Sequence, residues 1–208
     1  MTMGADEALA QLQAGNQRFV ANAQDARTGT GPARRHELVA GQAPLAIILG
    51  CSDSRVPAEI VFDQGLGDLF VIRVAGNIVA PSQIGSVEFA AQEFGTRLVV
   101  VLGHSRCGAI QATIKALEAP APAPASMPNI DSIVDRIRPA VVGLLETELR
   151  TDHDRLVHQA VRANIRASAN QLRHGSRLLE QLIAEDGLRV VGAEYALETG
   201  RVEFFDGV

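Results

Sequence analysis

The 208 residues carry 19 basic and 24 acidic side chains, a formal net charge of −5, and 47% of them are hydrophobic. That length and composition suit one globular domain, and the acidic balance speaks against a nucleic-acid binder, which would show a basic stripe. Apolar runs stop at about seven residues, against roughly 20 for a bilayer crossing. The opening stretch MTMGADEALAQLQAG has acidic residues early and no long apolar segment, so it does not read as a secretory signal. These features predict a cytoplasmic location and no membrane segment. Thiols there stay reduced, so Cys51 and Cys107 are expected free or metal-bound.

In chain order, Ala5 to Asn22 places Ala8, Leu9, Leu12, Phe19 and Val20 on a helix-like face. A short helix is expected over Ala33 to Ala40. Then the pattern changes to unbroken apolar runs: Leu45 to Leu49, Leu69 to Ile72 and Leu98 to Leu102. Short runs of this kind suit strands buried on both faces of a parallel sheet. Helices are expected between and after them, at Ser82 to Phe94 and Cys107 to Leu117, which gives an α/β fold with crossover connections. Residues 119–128, APAPAPASMP, read as an extended connector inside one domain, because proline at alternate positions blocks helix. Helices are expected over 129–147 and 152–185 and a strand over Leu188 to Ala193. Arg201 to Phe205 reads as a further strand or as a tail packed on a neighbour.

The two cysteines stand in polar stretches just past apolar runs. Residues 51–55 read CSDSR and residues 103–108 read GHSRCG. In open α/β sheets, sites form at the carboxyl ends of strands, so the two motifs can meet despite their separation in sequence. Together they offer two thiols from Cys51 and Cys107, an imidazole from His104 and a carboxylate from Asp53. Thiolate and imidazole are good zinc ligands and carboxylate an acceptable fourth. His104 and Cys107 are spaced i, i+3, which brings both to one side of a helical turn. A helix starting near Cys107 would favour its thiolate. Arg55, two positions from Asp53, is placed to form a fork-like ion pair with it. So paired, Asp53 leaves a fourth metal position open, as catalytic zinc requires. Released, it closes the site. A Cys51–His104 nucleophile pair is the competing arrangement, and it leaves Cys107 and Asp53 without a role.

At these residues the sequence resembles the β-class carbonic anhydrases. The resemblance covers most of residues 40–110: CSDSRVPAEIVFDQGLGDLFVIRVAGNIV, then GSVEFA, then VVVLGHSRCGAI. It implies Cys51, His104 and Cys107 as Zn2+ ligands and Asp53 with Arg55 as a catalytic dyad. It further implies substrate contacts from Gln42 across a dimer interface, from Phe70 and Phe89 in an apolar pocket, and from the backbone N–H of Gly108. The implied reaction is reversible hydration of carbon dioxide to bicarbonate by hydroxide generated on zinc. The implied fold is a mostly parallel four-stranded sheet with an additional C-terminal strand, flanked by helices. Its N-terminal helices would pack on a partner subunit in a homodimer or homotetramer. The implied layout is one domain over 1–208: an N-terminal arm to 43, core sheet and zinc site over 44–118, connector 119–128, and C-terminal helices and strand over 129–208. A second, inhibitory bicarbonate site of some members requires a tryptophan; Ile48 stands in its place, although Arg73 and Tyr195 fall where its other residues would. A hydrolase of carbonyl sulfide or carbon disulfide shares the zinc set and fold. A non-catalytic zinc or redox-sensing protein would instead hold its metal with four protein ligands.

Overall fold

The computed structural model describes residues 3–24, 29–119 and 128–208. Its centre is a five-stranded sheet: β1 (Ala46–Gly50), β2 (Leu69–Arg73), β3 (Leu98–His104), β4 (Arg189–Tyr195) and β5 (Val202–Asp206). The strand order is β2-β1-β3-β4-β5. The first four run parallel and β5 is antiparallel to β4. The mostly parallel sheet with an added C-terminal strand is therefore as expected, and residues 202–206 are a strand of the chain's own sheet.

Alternation within the apolar runs explains why they are unbroken. Ile47, Leu49, Val99 and Val101 point into one buried cluster, and Ala46, Ile48, Val100 and Leu102 into another. Both faces are covered, so β1 is apolar throughout and β3 is apolar until its last residue, His104. The first cluster is completed by α4 (Pro81–Glu93), α5 (Gly108–Glu118), α6 (Pro128–Val141), α7 (His153–His174) and α8 (Arg177–Glu185). The second is completed by α1 (Ala5–Val20) and the four-residue α3 (Ala58–Val61). α1 thus covers its own sheet with Ala8, Leu9 and Leu12, while α2 (Pro32–Glu37) buries no residue within the chain.

Two expected helices are shorter than their apolar patterns suggested. The stretch 152–185 is broken between α7 and α8 at Gly175 and Ser176. Ser176 caps α8 by accepting from the Leu179 N–H at 3.3 Å, and side-chain capping of that kind marks a helix start. The stretch 129–147 is α-helical to Val141 and then tightens into a 3-10 turn over Val142–Glu146. Pro139 in the last turn removes a helical donor there. Of the Pro/Ala-rich connector, residues 120–127 lie outside the described residues.

Two glycines, Gly103 and Gly192, let α7 lie close on the sheet. A Cβ at Gly103 would sit 2.6 Å from Ile165 Cδ1 and Cγ1, and Ile165 is fully buried. Gly103→Ala is expected to destabilise the protein by about 1–3 kcal/mol through overpacking. Thermal unfolding checks this, with Tm falling by roughly 2–4 °C per kcal/mol for a chain of this size. An unchanged Tm would show that α7 can shift.

Candidate metal centre

β1 and β3 lie side by side, with Gly50 paired to Leu102. Their carboxyl ends therefore deliver Cys51 and His104 to the same edge. Cys107 follows as the cap residue of α5. The three ligand atoms, two Sγ and one imidazole nitrogen, lie within 4.8 Å of one another. All three side chains are buried, at 5%, 0% and 1% exposure for Cys51, His104 and Cys107. Among the described residues this is the one cluster of three or more such side chains with that spacing.

The imidazole is oriented for ligation. Its Nδ1 lies 2.9 Å from the Ser105 carbonyl oxygen, which accepts a hydrogen bond from the Nδ1–H. The lone pair is thereby left on Nε2, and a metal-bound histidine is held in this way by its other nitrogen. His104 Nε2 is buried and has no hydrogen-bond partner. A buried polar nitrogen without a partner costs free energy, unless a group absent from the polypeptide meets it.

The sulfurs show the same incompleteness. The Cys107 thiol donates towards Cys51 and holds the Cys51 thiol well below its ordinary range, helped by the backbone N–H groups of Asp53 and Gly76. That contact, together with burial, pushes Cys107 up, against the opposing backbone N–H groups of Ile110 and Ala109 at the start of α5. The two neighbouring sulfurs thus oppose each other's ionisation. A divalent cation would discharge both, which is the chemistry of a Cys2His zinc set. The residues present fit that ion.

Asp53 stands beside the cluster, its Oδ2 3.8 Å from His104 Nε2. Arg55 grips both of its oxygens. Nε donates to Oδ1 at 2.9 Å, Nη2 to Oδ2 at 2.7 Å, and the backbone N–H of Arg55 to Oδ1 at 3.0 Å. This bidentate geometry holds the Asp53 carboxyl well below the usual carboxylate range. The turn itself is braced by Arg73 at the end of β2, which donates to the carbonyls of Cys51 at 3.1 Å and Asp53 at 2.7 Å. Gly108 is the first residue of α5, and a Cβ there would meet nothing within 4 Å. Gly108 is exposed.

Gln42, Phe70 and Phe89 are not brought to the sulfurs within one subunit. Phe70 is level with Ile47 in the β1–β2 register. That is four residues before Cys51, or roughly 13 Å along the strand. Phe89, 54% exposed, sits beside it with ring centroids 6.2 Å apart, and Phe94 joins them at 5.9 Å from Phe70 and 5.6 Å from Phe89. Phe94 in turn lines a cleft of about 500 Å³ with Gln42, Leu38, Val39 and Leu66. These groups gather at the opposite edge of the sheet. Sequence reasoning missed Arg73 as a brace of the Cys51–Asp53 turn and missed the turn at Gly76, whose N–H lies 3.4 Å from Cys51 Sγ. The Gly-Asn pair at 76–77 was a readable signal for a left-handed turn.

Comparison with known proteins gives the family. The family model described as carbonic anhydrase matches residues 46–202. A carbonic anhydrase of Mycolicibacterium smegmatis is 39% identical, covering 92% of this chain and 89% of its own. Carbonic anhydrase 2 of Mycobacterium tuberculosis is 37% identical, covering 95% of this chain and 91% of its own. Among solved structures, a tetrameric β-carbonic anhydrase of Sordaria macrospora superposes with a TM-score of 0.74 at 25% identity, over 92% of this chain and 93% of that one. On sequence and fold alike, the chain belongs to the β-class carbonic anhydrase family, whose members are carbonate dehydratases.

Proposed function

We propose that the protein is a zinc enzyme hydrating carbon dioxide reversibly to bicarbonate and a proton, with Cys51, His104 and Cys107 holding the metal. The observation that carries this reading is the partnerless, buried Nε2 of His104 between two thiols, next to an acid that Arg55 holds in a fork. Bound there, Zn2+ would supply the nucleophile by lowering the pKa of a coordinated water to about 7. Asp53, ionised and with its oxygens fixed, can only accept a hydrogen bond from the attacking oxygen. It therefore orients that oxygen and selects the form that still carries one proton. Arg55 keeps Asp53 in this role and off the metal; freed, the carboxylate would close the site. Among the described residues three protein donors converge rather than four, which favours an open catalytic position over a structural zinc.

The substrate contacts require a second copy of the chain. Gln42, Phe70 and Phe89 lie about a strand's length from the sulfurs of their own subunit, on a surface where Val39 is 84% and Leu66 40% exposed. Apposed to a partner's metal edge, this surface would supply an amide donor and an apolar wall for carbon dioxide. Beside the metal, the Gly108 N–H would face the substrate at the start of α5. The unit is then at least a homodimer, with a homotetramer as its doubling. We read the chain as one domain in which β4 and β5 complete the sheet begun before the connector. No helix among the described residues is long and apolar enough to cross a membrane, and a cytoplasmic location is part of this reading.

Two thiolates place more negative charge beside the water than imidazoles would, so activity is expected to rise above neutral pH. Stopped-flow hydration of carbon dioxide by zinc-loaded protein from pH 6 to 9 checks this. No acceleration over buffer at any pH would refute the reading, and faster turnover of carbonyl sulfide would reassign the substrate.

A further inference from the structure

We infer that Asn164 and Ser168, on α7, are positioning residues for the Cys51 sulfur, acting through the turn Ala75–Asn77. The inference rests on the reading of Cys51 as a metal ligand. In that turn Gly76 has φ 72° and Asn77 φ 43°. Two successive left-handed residues, one of them with a side chain, persist only where the surroundings over-determine them. Here the surroundings are specific. Asn164 Nδ2 donates to the Gly76 carbonyl at 2.8 Å, and Ser168 Oγ donates to the Asn77 carbonyl at 3.0 Å. Spaced i, i+4, the two side chains share one face of α7, and they are 2% and 3% exposed.

The turn they hold aims one donor at the metal edge: the Gly76 N–H, 3.4 Å from Cys51 Sγ. A side chain at 76 is barred, because a Cβ would lie 2.8 Å from Ile137 Cδ1 and 3.1 Å from Ala109 Cβ. The arrangement even leaves Asn77 Nδ2 buried without a partner. An N–H directed at a thiolate fixes its rotamer and draws off charge. Outer partners of this kind commonly change metal affinity by about 10–100-fold.

The test uses full-length zinc-loaded protein and its cobalt-substituted form. Asn164→Ala and Ser168→Ala should each weaken zinc retention against a chelator by about tenfold and shift the cobalt–thiolate charge-transfer band. Ser168→Thr, which keeps the hydroxyl, should restore both. Leu179→Ala, a fully buried position in α8, should lower Tm without moving either readout. If Asn164→Ala does not fold, Ser168→Ala carries the test alone. Zinc retention and cobalt band unchanged in the alanine variants, while Cys51→Ser loses both, would overturn the positioning role and leave the zinc reading standing. Unchanged zinc retention in Cys51→Ser would overturn both.

Discussion

Cys107→Ser is expected to abolish zinc binding and to reduce carbon dioxide hydration by at least about 1000-fold, since without the metal no nucleophile is available near neutral pH. The substitution is clean because of where Cys107 sits. It is the cap residue of α5, with extended backbone (φ −63°, ψ 121°), and serine is among the preferred residues there. The metal-free fold should therefore keep its stability or gain a little. What serine cannot do is ionise: a divalent cation can discharge the Cys107 thiol, towards which the backbone N–H groups of Ala109 and Ile110 point, whereas an alkoxide is out of reach. Zinc content by atomic absorption, Tm of the apoprotein and stopped-flow hydration separate the two effects. Activity within tenfold of the parent, with zinc retained, would remove Cys107 from the ligand set.

Arg55→Ala is expected to lower kcat/KM by about a hundredfold with little change in stability. The guanidinium is 54% exposed, and exposed ion pairs contribute little to folding. Its importance is positional, since both oxygens of Asp53 are held by it. Freed, Asp53 starts 3.8 Å from His104 Nε2 and can fill the position meant for water. Arg55→Lys should recover little, because an ammonium cannot make the parallel pair of bonds. Asp53→Asn should cost a similar factor, and the double variant should be no worse than either single one, the signature of residues acting as a unit. The sign of the pH effect follows from the depressed Asp53 value. The pair's stabilisation is fully present above the ordinary carboxylate range and is lost only as pH falls through the depressed value. Loss of activity between pH 8 and 6 is therefore assigned to the water and not to Asp53. Additive losses, or parental rates in either single variant, would contradict the dyad.

The readable parts of this molecule were those encoded by short-range chemistry. Unbroken runs such as Leu98 to Leu102 announced strands covered on both faces, and the sheet places those residues alternately in two cores. The motifs at 51–55 and 103–108 stood at strand ends, so parallel pairing alone brings Cys51, His104 and Cys107 together. What was not legible depends on distance or on counting donors. The break at Gly175–Ser176 hides in a stretch whose apolar spacing runs on across it. The brace by Arg73 joins β2 to the β1 turn, and the bonds from Asn164 and Ser168 to the 76–77 turn span 88 and 91 residues. No local pattern carries such pairings. Gln42, Phe70 and Phe89 came from resemblance, and one subunit leaves them at the far edge of the sheet. Their place is decided by a surface the sequence does not display.

The account is tested most directly by crystals of zinc-loaded protein grown at pH about 8.5, with diffraction collected across the zinc absorption edge. A single anomalous peak is predicted per subunit, contacted by Cys51 and Cys107 Sγ and by His104 Nε2, with Asp53 still forked to Arg55 and no fourth protein ligand. No peak, or a peak closed by a fourth side chain at that pH, would contradict it.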